Sequence, residues 1–131
     1  PELLPNAIEE ILRFDGPSKA MWRIALEDLE IGGAQIKKDD KLLLVQVGAN
    51  RDPRQFERPD EFDIRRDRPQ HCGFGYAVHY CIGAPIARAE GSLALKALFE
   101  RLPDIRLVAQ DFQWHPTVLN RALRSLKVAR Q

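Results

Sequence analysis

The sequence predicts an α+β fold, mainly α, on three observations. Two segments carry apolar residues at helical spacing, short strand patterns lie between and after them, and a long Pro- and Gly-rich stretch precedes the second helix. In the first helix Leu4, Ile8, Ile11 and Leu12 form the apolar stripe, with Glu9, Glu10 and Arg13 beside it. Pro5-Asn6 opens it, and it ends near Asp15-Gly16-Pro17, because proline disfavours helix in the residue before it. Met21–Leu26 reads as a strand, and Gly32-Gly33 inside 30–36 as a two-residue hairpin turn. Asp39-Asp40 is a turn, and the continuous apolar run from Lys41 to Val47 predicts a well-buried strand. From Gly48 to Gly83 no periodic element is evident, yet Phe56, Phe62, Ile64 and Phe74 punctuate the stretch, so an ordered, functional loop is expected. Pro85 opens the second helix, whose stripe is Ile86, Ala89, Leu93, Ala97 and Leu98, ending at Leu102-Pro103. Short strand patterns follow around Trp114-His115-Pro116. No repeat, low-complexity tract or internal domain boundary is visible.

Composition narrows the function classes. Twenty Lys+Arg against nineteen Asp+Glu leave a net charge of +1 over 131 residues, which argues against a nucleic-acid partner. Apolar residues make up 44%, enough for a folded domain. No apolar run approaches the roughly 20 residues of a membrane span, and no secretory signal pattern is seen. Cys72 and Cys81 are the only cysteines. They cannot staple a disulfide-rich fold, and a reducing, cytoplasmic setting is expected. The chain begins at Pro1 and enters a helical pattern almost at once, as a trimmed, fragmentary or processed chain would.

The chemistry concentrates in Phe74-Gly75-Tyr76-Ala77-Val78-His79-Tyr80-Cys81-Ile82-Gly83. A cysteine sits in a Gly-flanked loop just ahead of a helix. The positive end of the helix dipole favours an anion there and stabilises a thiolate. A single thiolate can serve as the axial ligand of haem iron. Glycines let the backbone approach a flat cofactor, and Phe74 is placed to shield the sulfur. Two other readings stand beside this one. A lone cysteine in an apolar loop is most often a small buried hydrophobe. His71, Cys72, His79 and Cys81 are four zinc-ligand types within eleven residues, but not at the spacing of a common finger.

The segment Phe74-Gly-x-x-x-His79-x-Cys81-x-Gly83 resembles the haem-binding loop of the cytochrome P-450 monooxygenases, bacterial type. Other segments agree in order and spacing. Glu10-Ile11-Leu12-Arg13 is similar to the family's Glu-x-x-Arg on its K helix. Ala49-Asn50-Arg51-Asp52-Pro53 with Phe56 and Pro59-Asp60-Glu61-Phe62-Asp63 resembles its meander. Gly83-Ala84-Pro85-Ile86-Ala87-Arg88-Ala89-Glu90 resembles the start of its L helix, and 121–128 its last hairpin. The resemblance covers essentially all of 1–131.

It implies the C-terminal portion of the P-450 fold: K helix, small β-sheet, meander, cysteine loop, L helix and final hairpin. It implies haem b as cofactor, with Cys81 as the iron's thiolate ligand. Phe74, Gly75, Tyr80, Ile82 and Ala87 are expected beside the haem, and His79 and Arg23 at its propionates. Glu10 and Arg13 are expected as a structural ion pair, where the residues alone would suggest only a solvated helix face. The family's pair usually gains an arginine just before the meander Phe. Here Glu61 stands there, and Arg65 or Arg66 is expected to supply the charge. Ala77 stands where the family commonly has Gly, which matters if the backbone there has positive φ. Ala122 and Lys127 replace a common Gly and Pro of the last hairpin.

Substrate contacts are expected from Ser18, Lys19, Ala20 and Met21 and from Leu119 and Asn120. The family's oxygen-activating helix and N-terminal part have no counterpart in 1–131. The Leu93 stripe and the strand 42–47 would then expose apolar surface, met by the missing part or by self-association. The implied activity is O₂-dependent oxidation of a small organic substrate, with electrons from a ferredoxin- or flavodoxin-type donor. Arg65, Arg66, Arg68 and Arg88 could steer an acidic donor. The alternative is a haem-binding module without monooxygenase turnover.

Overall fold

The computed structural model describes residues 2–67 and 69–130. Helix α1 spans Leu4–Asp15, with Pro5 in its first turn, and ends at Gly16, whose extended backbone leads into Pro17. Strand β1 (Ala20–Ile24) pairs antiparallel with β4 (Lys41–Val45). Between them β2 (Leu29–Ile31) and β3 (Ala34–Ile36) form a hairpin closed by Gly32 and Gly33. Both glycines have positive φ, 59° and 83°, as a two-residue primed turn requires. Helix α2 covers Gln46–Ala49, and a loop with one 3₁₀ turn at Ala77–His79 leads to helix α3 (Ala84–Arg101). Strands β5 (Ile105–Leu107) and β6 (Val128–Arg130) close the chain as an antiparallel pair. Around Trp114 the expected strand patterns reduce to a single bridge with Leu123 and two hydrogen bonds, from His115 N–H to the Ala122 carbonyl and from Arg124 N–H to the Gln113 carbonyl.

Three expectations are corrected. First, β1 ends at Ile24, not Leu26, because Ala25 turns its N–H to the Asp40 carbonyl and receives Asp39 N–H on its own. Second, the run from Lys41 to Val47 is not a well-buried strand. It is extended only to Val45, then becomes α2, and Leu43, Leu44 and Val45 are exposed because no second layer covers this face among the described residues. Third, α3 does not bury the face marked by Ile86 and Leu93, which are exposed. The face that meets α1 carries Ala84, fully buried, and Gly91, where a Cβ would lie 3.0 Å from Ile8 Cδ1. A small residue at position 91 lets α1 and α3 approach closely, and that choice outweighs the Leu-rich stripe.

The deepest side chains are polar. Glu10 and Arg13 are wholly buried and Asn50 nearly so, beside a modest apolar set of Ile8, Ala20, Ala25, Phe56 and Ala84. Much of the apolar surface faces outward, including Trp22, Ile24, Leu43, Val45, Ile86 and Leu93. Among the described residues no helix is long and apolar enough to cross a membrane.

Candidate functional site

Arg13 organises the ground beneath the cysteine loop. Its Nε and Nη2 donate to the two Glu10 carboxylate oxygens at 2.7 and 2.8 Å. Nη1 donates to the carbonyls of Asn50 and Pro59 at 2.9 and 2.8 Å, and Nη2 to that of Glu61 at 3.0 Å. Glu10 also accepts from Asp63 N–H at 2.9 Å and faces Arg66 Nε at 3.4 Å. Arg66 is therefore the third partner, and Arg65 is exposed. Burial raises the Glu10 carboxyl's pKa, but Arg13, the Asp63 N–H and Arg66 together hold it below the ordinary carboxylate value. The pair is a buried clamp of α1 on the meander, not a solvated helix face.

Asn50 passes this order to the loop. Its side-chain oxygen accepts Cys72 N–H at 2.7 Å. Buried Gln46 donates through Nε2 to the Cys72 carbonyl at 2.5 Å and accepts the Ser18 hydroxyl at 2.9 Å. Both backbone groups of Cys72 are thus gripped from α2 and its C-terminus. Cys81 N–H then donates to the Phe74 carbonyl at 2.8 Å, and Ala84 N–H to the Cys81 carbonyl at 3.1 Å. The loop turns through Gly75, at φ 79°, where a Cβ would lie 2.8 Å from the His79 carbonyl oxygen. Ala77 has φ 50°, so its methyl does sit in the left-handed region that glycine tolerates better.

A second, half-buried cluster lies behind Phe74. Glu9 receives Arg88 Nε and Nη2 at 2.5 and 2.9 Å and lies 3.1 Å from His71 Nε2. Arg88 Nη1 donates to the Tyr80 hydroxyl at 2.8 Å, and its guanidinium stands 4.7 Å from the Phe74 ring centre. Arg88 chiefly, through its hydrogen bonds, holds Glu9 below the usual carboxylate range. Burial pushes the His71 imidazole's pKa down against the opposing pull of Glu9. Arg88 and Arg66 both have partners within the chain, and Arg68 lies outside the described residues.

Cys81 opens onto a hollow of about 350 Å³ whose lining includes Ser18, Met21, Phe74, Gly75 and His79. Cys81 is exposed, and it and Cys72 are free thiols, so Cys81 is not the buried hydrophobe that a lone loop cysteine most often is. Tyr80 packs edge-on to Phe74 at 6.3 Å, while Ile82 and Ala87 point outward beside the loop. Arg23 does not line this hollow. It borders a neighbouring one with Trp22 and Lys41 and donates to the Trp22 carbonyl. It does follow Met21 by two residues on β1, on the same strand face.

The two segments expected to meet a substrate lie side by side. Lys19 N–H donates to the Leu119 carbonyl at 2.8 Å, and Ser18 bridges Asn120. Only Ser18 and Met21 of this set line the hollow; Ala20 is buried. The zinc reading is overturned: among the described residues no three His, Cys, Asp or Glu side chains converge on a metal position, and both His71 nitrogens are already engaged.

Glu9, Gln46 and Asn50 escaped the sequence reading as site residues, and His71 entered it only as a zinc ligand. The available signals were weak: a glutamine interrupting an apolar run, and an asparagine ahead of Arg-Asp-Pro.

This architecture is that of the haem-thiolate class: the cytochrome P-450 family model matches residues 2–103, and the chain belongs to that family. Its cofactor is haem with a cysteine thiolate as axial ligand. The chain is 44% identical over 130 residues to the 6-deoxyerythronolide B hydroxylase of Saccharopolyspora erythraea, covering 98% of this chain and 32% of that protein. It is 43% identical over 132 residues to the polyketide biosynthesis cytochrome P-450 PksS of Bacillus subtilis, covering 98% and 33%. The solved PksS structure superposes with a TM-score of 0.95 over 99% of this chain and 34% of that one. A haem domain from Acinetobacter radioresistens superposes with a TM-score of 0.97 at 38% identity, over 100% of this chain and 32% of that one. The chain spans about a third of the length of the curated relatives it matches.

Proposed function

We propose that residues 1–131 are the C-terminal, haem-binding portion of a bacterial-type cytochrome P-450 monooxygenase, with Cys81 as the axial ligand. The observation that carries this reading is the exposed Cys81 thiol at a largely apolar hollow, in a loop pinned at Cys72, Phe74 and Ala84. The donor set fits haem. One soft thiolate is presented singly, beside an aromatic ring, with a histidine on the rim and no competing ligand cluster among the described residues. The hollow supplies one wall of a haem site.

In this reading Cys81 would hold the iron, its sulfur carried three residues ahead of the first residue of α3. Phe74 and Gly75, which line the hollow, would meet the ring, with Tyr80, Ile82 and Ala87 at its border. His79, and Arg23 on the Met21 face of β1, would hold the propionates by charge-assisted hydrogen bonds. Ser18, Lys19, Ala20, Met21, Leu119 and Asn120 lie where two chain segments converge, at the substrate end. When bound, haem supplies activation of O₂ with electrons from a donor. A ferredoxin- or flavodoxin-type protein is the donor we propose, and a small organic molecule the substrate; the naming of one relative as a hydroxylase supports hydroxylation. The exposed apolar faces of β4 and α3 support a further protein layer, from the rest of the enzyme or a second copy. We place the enzyme in the cytoplasm, in keeping with two free thiols.

The test is the absorption spectrum of the reduced, CO-bound, haem-loaded protein. A strongly red-shifted Soret band that disappears in Cys81→Ser is expected. The same band persisting in Cys81→Ser, or a histidine-like band in the unaltered protein, refutes the assignment.

A further inference from the structure

We infer that Glu9, His71 and Arg88 form a positioning clamp that holds the Cys81 loop in its ligating geometry, with Arg88 as the member that reaches Cys81's neighbours. The inference rests on the reading of Cys81 as haem ligand. Glu9 is on α1 and Arg88 on α3, 79 residues apart, and they join in a two-pronged ion pair at 2.5 and 2.9 Å. His71 Nδ1 accepts Gly73 N–H at 3.0 Å, so Nε2 carries the hydrogen donated to Glu9. The His71 side chain is 2% exposed and packs straight onto Gly73, where a Cβ would lie 2.9 Å from Nδ1.

The clamp therefore touches the loop at three places. His71 fixes Gly73, at its entry. The Arg88 guanidinium faces the Phe74 ring, and Phe74's carbonyl receives Cys81 N–H. Arg88 also donates to Tyr80, the residue immediately before Cys81. Most other ion pairs of the described chain tie exposed side chains together within the β2–β3 hairpin or the meander. This one links both helices to the residues on either side of the sulfur's anchor. A planar guanidinium can make the two-pronged pair, the ring contact and the tyrosine bond at once. A lysine ammonium cannot, although it keeps the charge.

The experiment uses the full-length, haem-loaded enzyme and its variants Arg88→Lys, Glu9→Gln and the pair of both. The control is Phe56→Leu, a buried meander change whose ring faces Arg13 rather than the three clamp residues. The readout is the ratio of thiolate-type to non-thiolate CO complex at a temperature well below every variant's melting point. Each single variant is expected to lower the ratio about tenfold, the effect of losing one charge-assisted hydrogen bond. The double variant falls no further, because both changes open the same clamp. Phe56→Leu leaves the ratio unchanged. Should Glu9→Gln fail to fold, Tyr80→Phe, which deletes only the Arg88 bond, is expected to lower the ratio by a smaller factor. Unaltered ratios in the variants, or a loss equal to that of Phe56→Leu, overturn the clamp while leaving Cys81 as ligand. A missing thiolate band in the unaltered enzyme overturns the reading of Cys81, and the clamp with it.

Discussion

Arg13→Ala would leave the Glu10 carboxylate buried without its main partner. Both side chains have zero exposure, and Arg13 donates five hydrogen bonds: two to Glu10 and one each to the carbonyls of Asn50, Pro59 and Glu61. Breaking a buried pair from one side destabilises by about 3–5 kcal/mol. Three carbonyls also lose a donor, each worth about 1 kcal/mol if water does not replace it. These effects overlap, so the upper part of that range, about 4–5 kcal/mol, is the expected loss. A domain is commonly stable by only about 5–15 kcal/mol, so the variant should lie near its folding threshold. Arg13→Lys keeps the charge but not the fork, and should lose about 2 kcal/mol. Arg13→Met with Glu10→Leu should recover part of the Arg13→Ala loss, since no wholly buried charge then remains and Arg66 keeps its bonds to the Glu57 and Arg58 carbonyls. Urea unfolding followed by circular dichroism, extrapolated to water, gives the comparison. A loss below about 1 kcal/mol for Arg13→Ala would refute the clamp, as would a double variant worse than Arg13→Ala alone.

Two further expectations concern the loop and pH. Ala77→Gly should raise the melting temperature slightly, because relief of the left-handed alanine, about 1–2 kcal/mol, exceeds the added chain entropy of glycine. Gly75→Ala should do the reverse and weaken haem retention, measured by transfer to apomyoglobin, because its Cβ meets the His79 carbonyl; equal retention would refute the need for glycine. Glu9 and Glu10 have folded pKa values below the ordinary 4.5, so their contribution is full above pH 4.5 and is lost as pH falls through the lowered values. His71, held below the ordinary 6.5, contributes fully above pH 6.5 and progressively less beneath it. Stability should therefore plateau above neutrality and decline in two stages on acidification. A urea midpoint that rises between pH 6.5 and 5 would contradict the buried neutral imidazole.

Local chemistry was legible in the sequence. Helical spacing marked α1 and α3, Gly32-Gly33 marked the hairpin, and the run from Phe74 to Gly83 marked the cysteine loop, because periodicity and turn chemistry act over a few residues. The resemblance marked Ala77 as standing in a glycine's place, and the structure gives it a φ of 50°. Long-range choices were decided only by the tertiary structure. Which face of α3 is buried depended on Gly91 meeting Ile8, and apolar content alone pointed to the wrong face. The exposure of Leu43 to Val45 depended on what covers a strand, which the strand's own residues do not encode. Glu9 and Arg88 read as surface charges until the fold brought them together across 79 residues of chain. The worth of a charge is set by its dielectric surroundings and its neighbours, and in this chain both are made by contacts between distant segments.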